Sequence, residues 1–282
     1  MRPIKEISIF EFTDYRLYLN EYYKNKKQQK NNFSYRQFAQ KANFSSPSHL
    51  LMIMSGERNL SLKTMPKIIK CLKLNKLESN YFELLVSYNQ ATDFDQRSQF
   101  FSNIMQLRSK RTSLHSLERE KFEFLSKWYG AAIYALIDLK DFKSDIHWIS
   151  KRLNGQVSPG QVKETMETLC RLNLITEDSE RGFRQVPGAI NVEDDTRSMA
   201  VFNYHKSMLQ KADESLRTDP IEKREMNGVT ISIPKSKLPE IKEMIRSFRK
   251  EINMVASSYL DPDEVYQLNL QFFPLSKLEE PK

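Results

Sequence analysis

The amino-acid sequence predicts a mostly α-helical protein that ends in a small α+β unit. Glycine, which favours sharp turns, accounts for only 7 of the 282 residues, against a usual share of about 7%. Apolar residues recur at intervals of three and four along most of the chain, a pattern typical of amphipathic helices. A chain of this length holds two or three domains of about 100–200 residues. We predict three, over residues 1–112, 113–190 and 191–282.

The positive charge of the chain is confined to its first third. The chain carries 44 Lys and Arg against 36 Asp and Glu, a formal net charge of +8. The head, residues 1–90, holds 15 basic and 7 acidic residues, so it carries the whole excess. The body, residues 91–282, holds 29 of each and is neutral. A localised positive field favours a polyanionic partner, and we expect double-stranded DNA.

No stretch of the sequence indicates a membrane span or an export signal. No apolar run approaches the ~20 residues that cross a bilayer, and Lys5, Glu6 and Glu11 interrupt the stretch where a signal peptide is apolar. Cys71 and Cys170 each lie within an apolar helical pattern, which predicts two buried free thiols. We therefore expect a cytoplasmic protein with no membrane partner.

The sequence contains no recognisable catalytic or cofactor-binding motif. Gly155 and Gly160 have the spacing of a phosphate-binding loop, but Gln161 and Val162 follow where such a loop needs Lys and Ser or Thr. The four histidines are scattered and form no H-E-x-x-H. We expect no enzymatic activity, no cofactor and no metal site.

Two short helices joined by a tight turn are predicted in the head. Ser34 and Gln37 have the spacing of a capping box and begin the first helix. After a turn at residues 43–45, Ser46 begins the second helix with Pro47 at its first position, where the missing N–H costs nothing. Flanking amphipathic helices are predicted over residues 10–28 and 65–74. This is the layout of a helix-turn-helix unit in a helical bundle.

Residues 33–74 resemble the Xre-type, lambda-repressor-like helix-turn-helix family. The resemblance rests on the pair Phe38-Ala39, the turn at Asn43-Phe44, the run Gly56-Glu57-Arg58-Asn59-Leu60-Ser61 and the apolar residues Ile68, Leu72 and Leu74. It implies a DNA-binding unit whose second helix faces the major groove.

Nearly the whole chain resembles a bacterial family of uncharacterised regulators that combine this N-terminus with a C-terminal domain of unknown function. The stretches that carry the resemblance are FSYRQFA at 33–39, NYFELLVSYNQA at 80–91, SKWYGAAI at 126–133 and VYQLNLQFFPLSK at 265–277. It implies a role in transcription and no established mechanism.

The resemblance places Pro47, Ser48, His49 and Met52 where a recognition helix faces the bases. None of them is Arg, Lys, Asn or Gln, whose bidentate contacts with bases are worth about 1–3 kcal/mol each. The surrounding basic residues are suited to phosphate contacts instead. The candidate DNA-binding residues are Lys24, Lys26, Lys27, Lys30, Tyr35, Arg36, Lys41, Ser46, Ser48, His49, Met52, Arg58 and Lys63.

The middle of the chain predicts further helices and one hairpin. Two helices over residues 76–112 are followed by a long apolar helix over 122–136, and Asp145 and Ser158 begin two more. With a two-stranded hairpin over 174–186, this order is similar to a winged helix. Two glutamates on the third helix disfavour phosphate contacts there, so we favour a protein-interaction or dimerisation module over a second DNA-binding module. The face predicted to be exposed holds Gln161, Lys163, Glu164, Thr165, Glu167 and Thr168.

The last domain predicts a strand–helix–strand unit after a helix over residues 199–216. Residues 229–233 and 265–273 alternate between apolar and polar, which is typical of strands. A long amphipathic helix is predicted over 238–259. Its expected inward residues are Leu238, Ile241, Ile245, Phe248, Ile252 and Val255. We expect this unit to bind an effector or to form a dimer.

Three non-enzymatic functions follow from these patterns. The first is a DNA-binding transcriptional regulator, a homodimer by the habit of helix-turn-helix proteins to match two half-sites. The second is an interaction or assembly protein that uses the uncharged 46–54 helix, where Leu51, Met52 and Met54 lie near Met65. The third, compatible with the first, is a receptor for a small molecule such as a nucleotide. Its candidate ligand-binding residues are Arg224, Arg246 and Arg249.

Overall fold

The protein folds into helices with a single small sheet. The computed structural model describes residues 7–30, 32–111, 113–186 and 194–276. Within these ranges there are twelve α-helices and one two-stranded antiparallel sheet, which confirms the mostly α-helical class. In this part of the chain, no helix is long and apolar enough to cross a membrane.

The chain divides into two compact units. The first comprises residues 1–122 with 192–199, and the second comprises residues 123–191 with 200–282. The predicted boundary between residues 190 and 191 lies outside the described residues. The three-domain division stays a prediction.

Seven helices make up most of the first unit, and the last of them continues past the end of this unit at residue 122. The first helix begins later than the predicted residue 10, because Ile9–Glu11 form a 3-10 turn and the Asp14 side chain caps the helix by accepting from the N–H of Arg16 at 2.6 Å. The bounds are α1 Tyr15–Gln29, α2 Tyr35–Lys41, α3 Pro47–Ser55, α4 Met65–Leu72, α5 Lys76–Gln90, α6 Phe94–Ser109 and α7 Ser113–Ser126.

The core of the first unit is formed where α1, α3 and α5 meet. Asn89 near the end of α5 ties the start of α1 to this core, since its side chain accepts from the N–H of Tyr15 and donates to the carbonyl of Thr13, both at 3.0 Å. The side chains with almost no exposure include Tyr15, Leu19, Phe38, Leu50, Ile53, Ile68, Tyr81, Phe82 and Leu85. Burial of this much apolar surface fixes the positions of the short helices α2, α3 and α4.

Three helices and the hairpin begin the second unit in the predicted order. They are α8 Trp128–Leu136, α9 Ile146–Arg152, α10 Pro159–Arg171, β1 Ile175–Asp178 and β2 Gly182–Gln185. Asp145 caps α9, and Ser158 with Gln161 forms a capping box at the start of α10, as the sequence predicts. The strands pair antiparallel with Ile175 opposite Gln185. Ile133, Leu136, Ile149, Val162, Leu169 and Ile175 form part of the core beneath them.

The long apolar helix predicted over residues 122–136 is two helices. Lys127 has an extended backbone (φ −99°, ψ 125°) and separates α7 from α8. Gly130 lies so close to the end of α7 that an added Cβ would be 2.8 Å from the carbonyl oxygen of Phe124. The apolar spacing continues through the break, so it could not reveal this corner.

The exposed face of α10 contains fewer residues than the sequence predicts. Thr165 and Thr168 are buried, and their hydroxyls donate to the carbonyls of Gln161 and Glu164 at 2.7 and 2.9 Å, one turn earlier. A hydroxyl that bonds to its own helix can be buried without an unpaired donor. Cys170 was predicted to be buried, but it lies outside this inward face and is exposed. Cys71 is half-buried, and both residues are free thiols.

The C-terminal part contains helices but not the two predicted strands. α11 spans Asp194–Thr218 and α12 spans Leu238–Ser257, close to the predicted bounds. Residues 229–233 and 265–273 belong to no helix or strand. None of the residues of α12 that were expected to face inward is buried. Alternation makes a segment able to form a strand, but the hydrogen-bonded ladder also needs a neighbouring strand.

Candidate nucleic-acid interface

The α2–turn–α3 unit is held in place by caps at both helices. The Ser34 hydroxyl accepts from the N–H of Gln37 at 3.3 Å, and the Ser46 hydroxyl accepts from the N–H of Ser48 at 3.2 Å. Gly56 ends α3 in a left-handed conformation (φ 90°), as the sequence predicts. The caps satisfy one backbone N–H at the start of each helix and leave others that can face an anion.

The turn itself is fixed by a lysine from α4. Asn43 has a positive φ of 52°, a conformation that Asn tolerates better than most residues. Lys67 Nζ donates to the Asn43 carbonyl at 3.2 Å. The turn and α4 are therefore linked by a direct polar contact as well as by the shared core.

Aromatic side chains join the end of α1 to the start of α2. The rings of Tyr23 and Tyr35 are stacked with centroids 3.8 Å apart, and Tyr23 also packs against Phe33 and Phe38. This contact places the last turns of α1, which carry the lysines, beside the first turn of α2. Tyr35 therefore has a structural role in addition to its predicted place in the interface.

The predicted phosphate-binding cations lie on the surface of this unit. Lys24 forms an ion pair with Glu21 at 2.5 Å, Lys26 lies over the ring of Tyr22 at 5.6 Å, and Lys41 lies over the ring of Phe33 at 5.2 Å. Pairs of this kind on an exposed surface are worth less than about 1 kcal/mol, so they leave the cations available to a phosphate. The exposed cations are Lys24, Lys27, Lys30, Arg36, Lys41, Arg58 and Lys63, and Lys26 is half-buried.

The outward face of α3 carries no charge. Ser48, Leu51, Met52 and Ser55 are exposed along it. His49 is half-buried, with its ring edge-on to Phe44 at 5.2 Å between centroids. This face has no guanidinium, ammonium or carboxamide group with which to contact a base edge.

The apolar surface expected for a protein partner is smaller than the sequence suggests. Met54 and Met65 are buried at 5% and 8% exposure, so they belong to the core. Leu51 and Met52 remain, each 37% exposed. Two side chains of this size do not form the extended apolar patch that marks a protein-binding surface.

Two residues that sequence reasoning missed hold the loop after α3. Arg16 Nη2 donates to the Asn59 side chain at 2.9 Å, and the same guanidinium lies over the ring of Tyr15 at 4.5 Å. Gln90 accepts from the N–H of Leu60 at 2.6 Å and donates to its carbonyl at 3.0 Å. These contacts position Arg58 and Lys63. Because the partners are 30 and 43 residues apart, no local pattern indicates them.

Two of the three predicted ligand-binding arginines contact other groups of the chain. Arg224 Nε donates to the Asp219 carbonyl at 3.0 Å, and Arg246 pairs with Glu243 at 3.0 Å on the exposed surface of α12. Arg249 is exposed. Among the contacts of the described residues, none joins Arg224 to the other two arginines, and the ligand site stays a prediction.

The described ranges offer neither a metal-binding cluster nor an activated thiol. They contain no group of three His, Cys, Asp or Glu side chains with the geometry of a metal site. Burial raises the pKa of the Cys71 thiol, which makes that thiol a poor nucleophile at neutral pH.

The fold and this surface describe a mostly helical protein with a basic head and a neutral body. Residues 108–275 match the family described as Domain of unknown function (DUF4423), and since this is more than half of the chain, the protein belongs to that family. Residues 1–107 lie outside the match. Comparisons with curated proteins and with solved structures gave no match.

Proposed function

We propose that the protein is a non-enzymatic regulator of transcription that binds double-stranded DNA through its head, with α2 and α3 acting as an Xre-type helix-turn-helix. The observation that carries the proposal is the set of exposed cations that lie before, on and after two capped helices. The turn between these helices is fixed by Lys67. Backbone N–H groups at helix starts and nearby lysines are the groups that contact phosphates in protein–DNA complexes. The proposal places the protein in the cytoplasm.

The interface is expected to hold the DNA backbone more strongly than it discriminates between bases. Phosphate contacts supply affinity and register, whereas base-edge contacts supply specificity. Met52 and Ser48 offer only apolar and hydroxyl contacts, which distinguish bases weakly. Sequence preference should then come mainly from the shape and flexibility of the DNA.

The salt dependence of binding tests the proposal. Neutralising about 4–6 phosphates predicts a slope of about −4 to −5 in a plot of log affinity against log salt concentration for each bound head. The measurement is fluorescence anisotropy of a labelled duplex of mixed sequence, titrated at several salt concentrations. Affinity that does not change with salt, or no binding to any duplex, would contradict it.

Two variants with reversed charges, one in the head and one in the body, locate the interface. The combined substitution of Lys24, Lys26 and Lys27 by Glu should reduce affinity at least 100-fold and flatten the salt slope by about 3, one unit for each lost contact. The matched control makes the same change in net charge in the neutral body, at Lys143, Lys151 and Lys163, all exposed. If the control loses binding as strongly as the head variant, binding follows net charge and not the surface of the head, and the assignment of the interface to the head is wrong.

A further inference from the structure

The stretch between Lys223 and Glu264 forms an arm on the second unit. The side chains of these two residues pair at 3.0 Å and close the base of the arm. No residue between them is buried, including all of α12. Most of the stability of a helix in a protein comes from packing of its apolar face. In a single chain the apolar face of α12 is therefore only partly covered.

Two polar side chains of the segment after the arm contact α11 of their own chain. Asn269 Nδ2 donates to the carbonyl of Met208 in α11, and Tyr204 of α11 donates from its hydroxyl to Gln267 Oε1, both at 3.1 Å. The alternate apolar residues Tyr266, Leu268, Leu270 and Phe272 are 67%, 46%, 40% and 36% exposed. A segment of this pattern ordinarily turns its apolar side to the core. In this protein the four apolar side chains are exposed instead. We call them the outward face, and burying it requires contact with another surface.

α12 carries an apolar stripe that fits this face in length. Its apolar residues recur every three or four positions on one side of the helix, and they include Ile241, Phe248 and Val255. The helix has 20 residues, which span about 30 Å at 1.5 Å per residue. Nine residues such as 265–273 would cover about the same distance in a fully extended conformation at 3.3 Å per residue.

We propose that two copies of the chain exchange arms, so that α12 of each copy packs on the outward face of the other. Residues 265–273 contain no charged side chain, so the charges that flank the α12 stripe would meet no like charge on the outward face of the other copy. Uncharged, strand-forming segments left uncovered invite open-ended association, whereas a two-fold exchange closes the assembly at two copies.

The apolar surface that the exchange would cover is of the same order as a small specific interface. Four residues of the outward face and four of the α12 stripe (Met244, Phe248, Ile252 and Val255) are each between 36% and 67% exposed. A covered aromatic side chain buries about 150–250 Å² and a covered aliphatic one about 60–120 Å². At these exposures the eight residues supply roughly 400–650 Å² per copy. A standard specific interface buries about 800 Å² per partner. The proposal does not depend on DNA binding.

Sedimentation equilibrium of the full chain tests the exchange. Wild-type protein at micromolar concentration should have twice the chain mass of 33.3 kDa. Phe248→Glu on the stripe and Leu270→Glu on the outward face should each give a single-chain mass. Lys250→Glu, on the opposite side of α12 from the stripe, should stay dimeric. A monomeric wild type, or dimers that survive both apolar substitutions, would overturn the proposal.

Cross-linking between differently labelled copies tests the same contact without charged substitutions. In a background where Cys71 and Cys170 are replaced by Ser, chains with Ile252→Cys are co-expressed with chains with Leu268→Cys and treated with a short bismaleimide. Exchange predicts a cross-link that joins one chain of each kind. A second sample is a single chain that carries both cysteines. If the cross-link forms only in this sample and within one chain, α12 packs on the outward face of its own chain and the exchange is refuted.

Discussion

Replacing Gln90 by Ala should destabilise the head measurably. The Gln90 side-chain oxygen accepts from the N–H of Leu60 and from the Tyr15 hydroxyl at 2.6 and 2.9 Å, while its nitrogen donates to the Leu60 carbonyl at 3.0 Å. Tyr15 and Leu60 are 0% and 2% exposed. Water has little access to these groups, so it cannot take the place of the lost carboxamide.

The magnitude follows from the three lost hydrogen bonds. Each contributes about 0.5–1.5 kcal/mol, and a buried group left without a partner costs about 1–3 kcal/mol. We expect the free energy of unfolding to fall by about 2–4 kcal/mol. The amide of Leu60 should also lose protection against hydrogen exchange, because Gln90 is its hydrogen-bond acceptor.

Chemical denaturation followed by far-UV circular dichroism measures the first effect, and amide exchange measures the second. Gln99→Ala, at an exposed position of α6, is the matched control and should change stability by less than about 0.5 kcal/mol. A Gln90→Ala variant as stable as this control, with Leu60 still protected, would refute the argument that Gln90 holds the loop.

Three further predictions concern the candidate interface and the hairpin. Met52→Ala should change DNA affinity by less than about threefold in anisotropy titrations, since an apolar contact contributes little to backbone binding. Gly182→Ala should lower thermal stability by about 1–3 kcal/mol in calorimetry, because Gly182 has φ +82° and an added Cβ would lie 2.5 Å from the hydroxyl oxygen of Ser144. Two backbone N–H groups lower the pKa of Asp178, so its stabilisation of the hairpin turn is complete above the unfolded value of about 3.9 and is lost as pH falls through the lowered value. Asp178→Asn should remove this dependence in amide-exchange profiles of residues 178–182; an unchanged profile would contradict it.

Local signals in the sequence predict the helices well. Ser46 with Pro47 and Ser158 with Pro159 each place a side-chain acceptor and a proline at a helix start, and both helices begin there. The hairpin over β1 and β2 is equally local, because a short turn connects its strands. The outward residues of α3 also follow from spacing, since Leu50 and Ile53 fix which side is buried.

Features that depend on distant partners could not be predicted in this way. The Gln90 contact joins residues 30 apart, and the spacing of apolar residues does not register it. Residues 229–233 have the alternation of a strand, but alternation carries no information about which segment would pair with them. For the same reason the stripe of α12 was expected to face inward, although a stripe specifies only that some surface must cover it.

The corner at Gly130 bears on how other sequences of this family can be interpreted. Since an added Cβ would lie 2.8 Å from the Phe124 carbonyl oxygen and 3.0 Å from its ring, any relative that keeps this bend must keep glycine at the equivalent position. A relative with a larger residue there must separate the two helices. We therefore expect this single position to distinguish family members with the bent arrangement from those in which the two helices are further apart or joined.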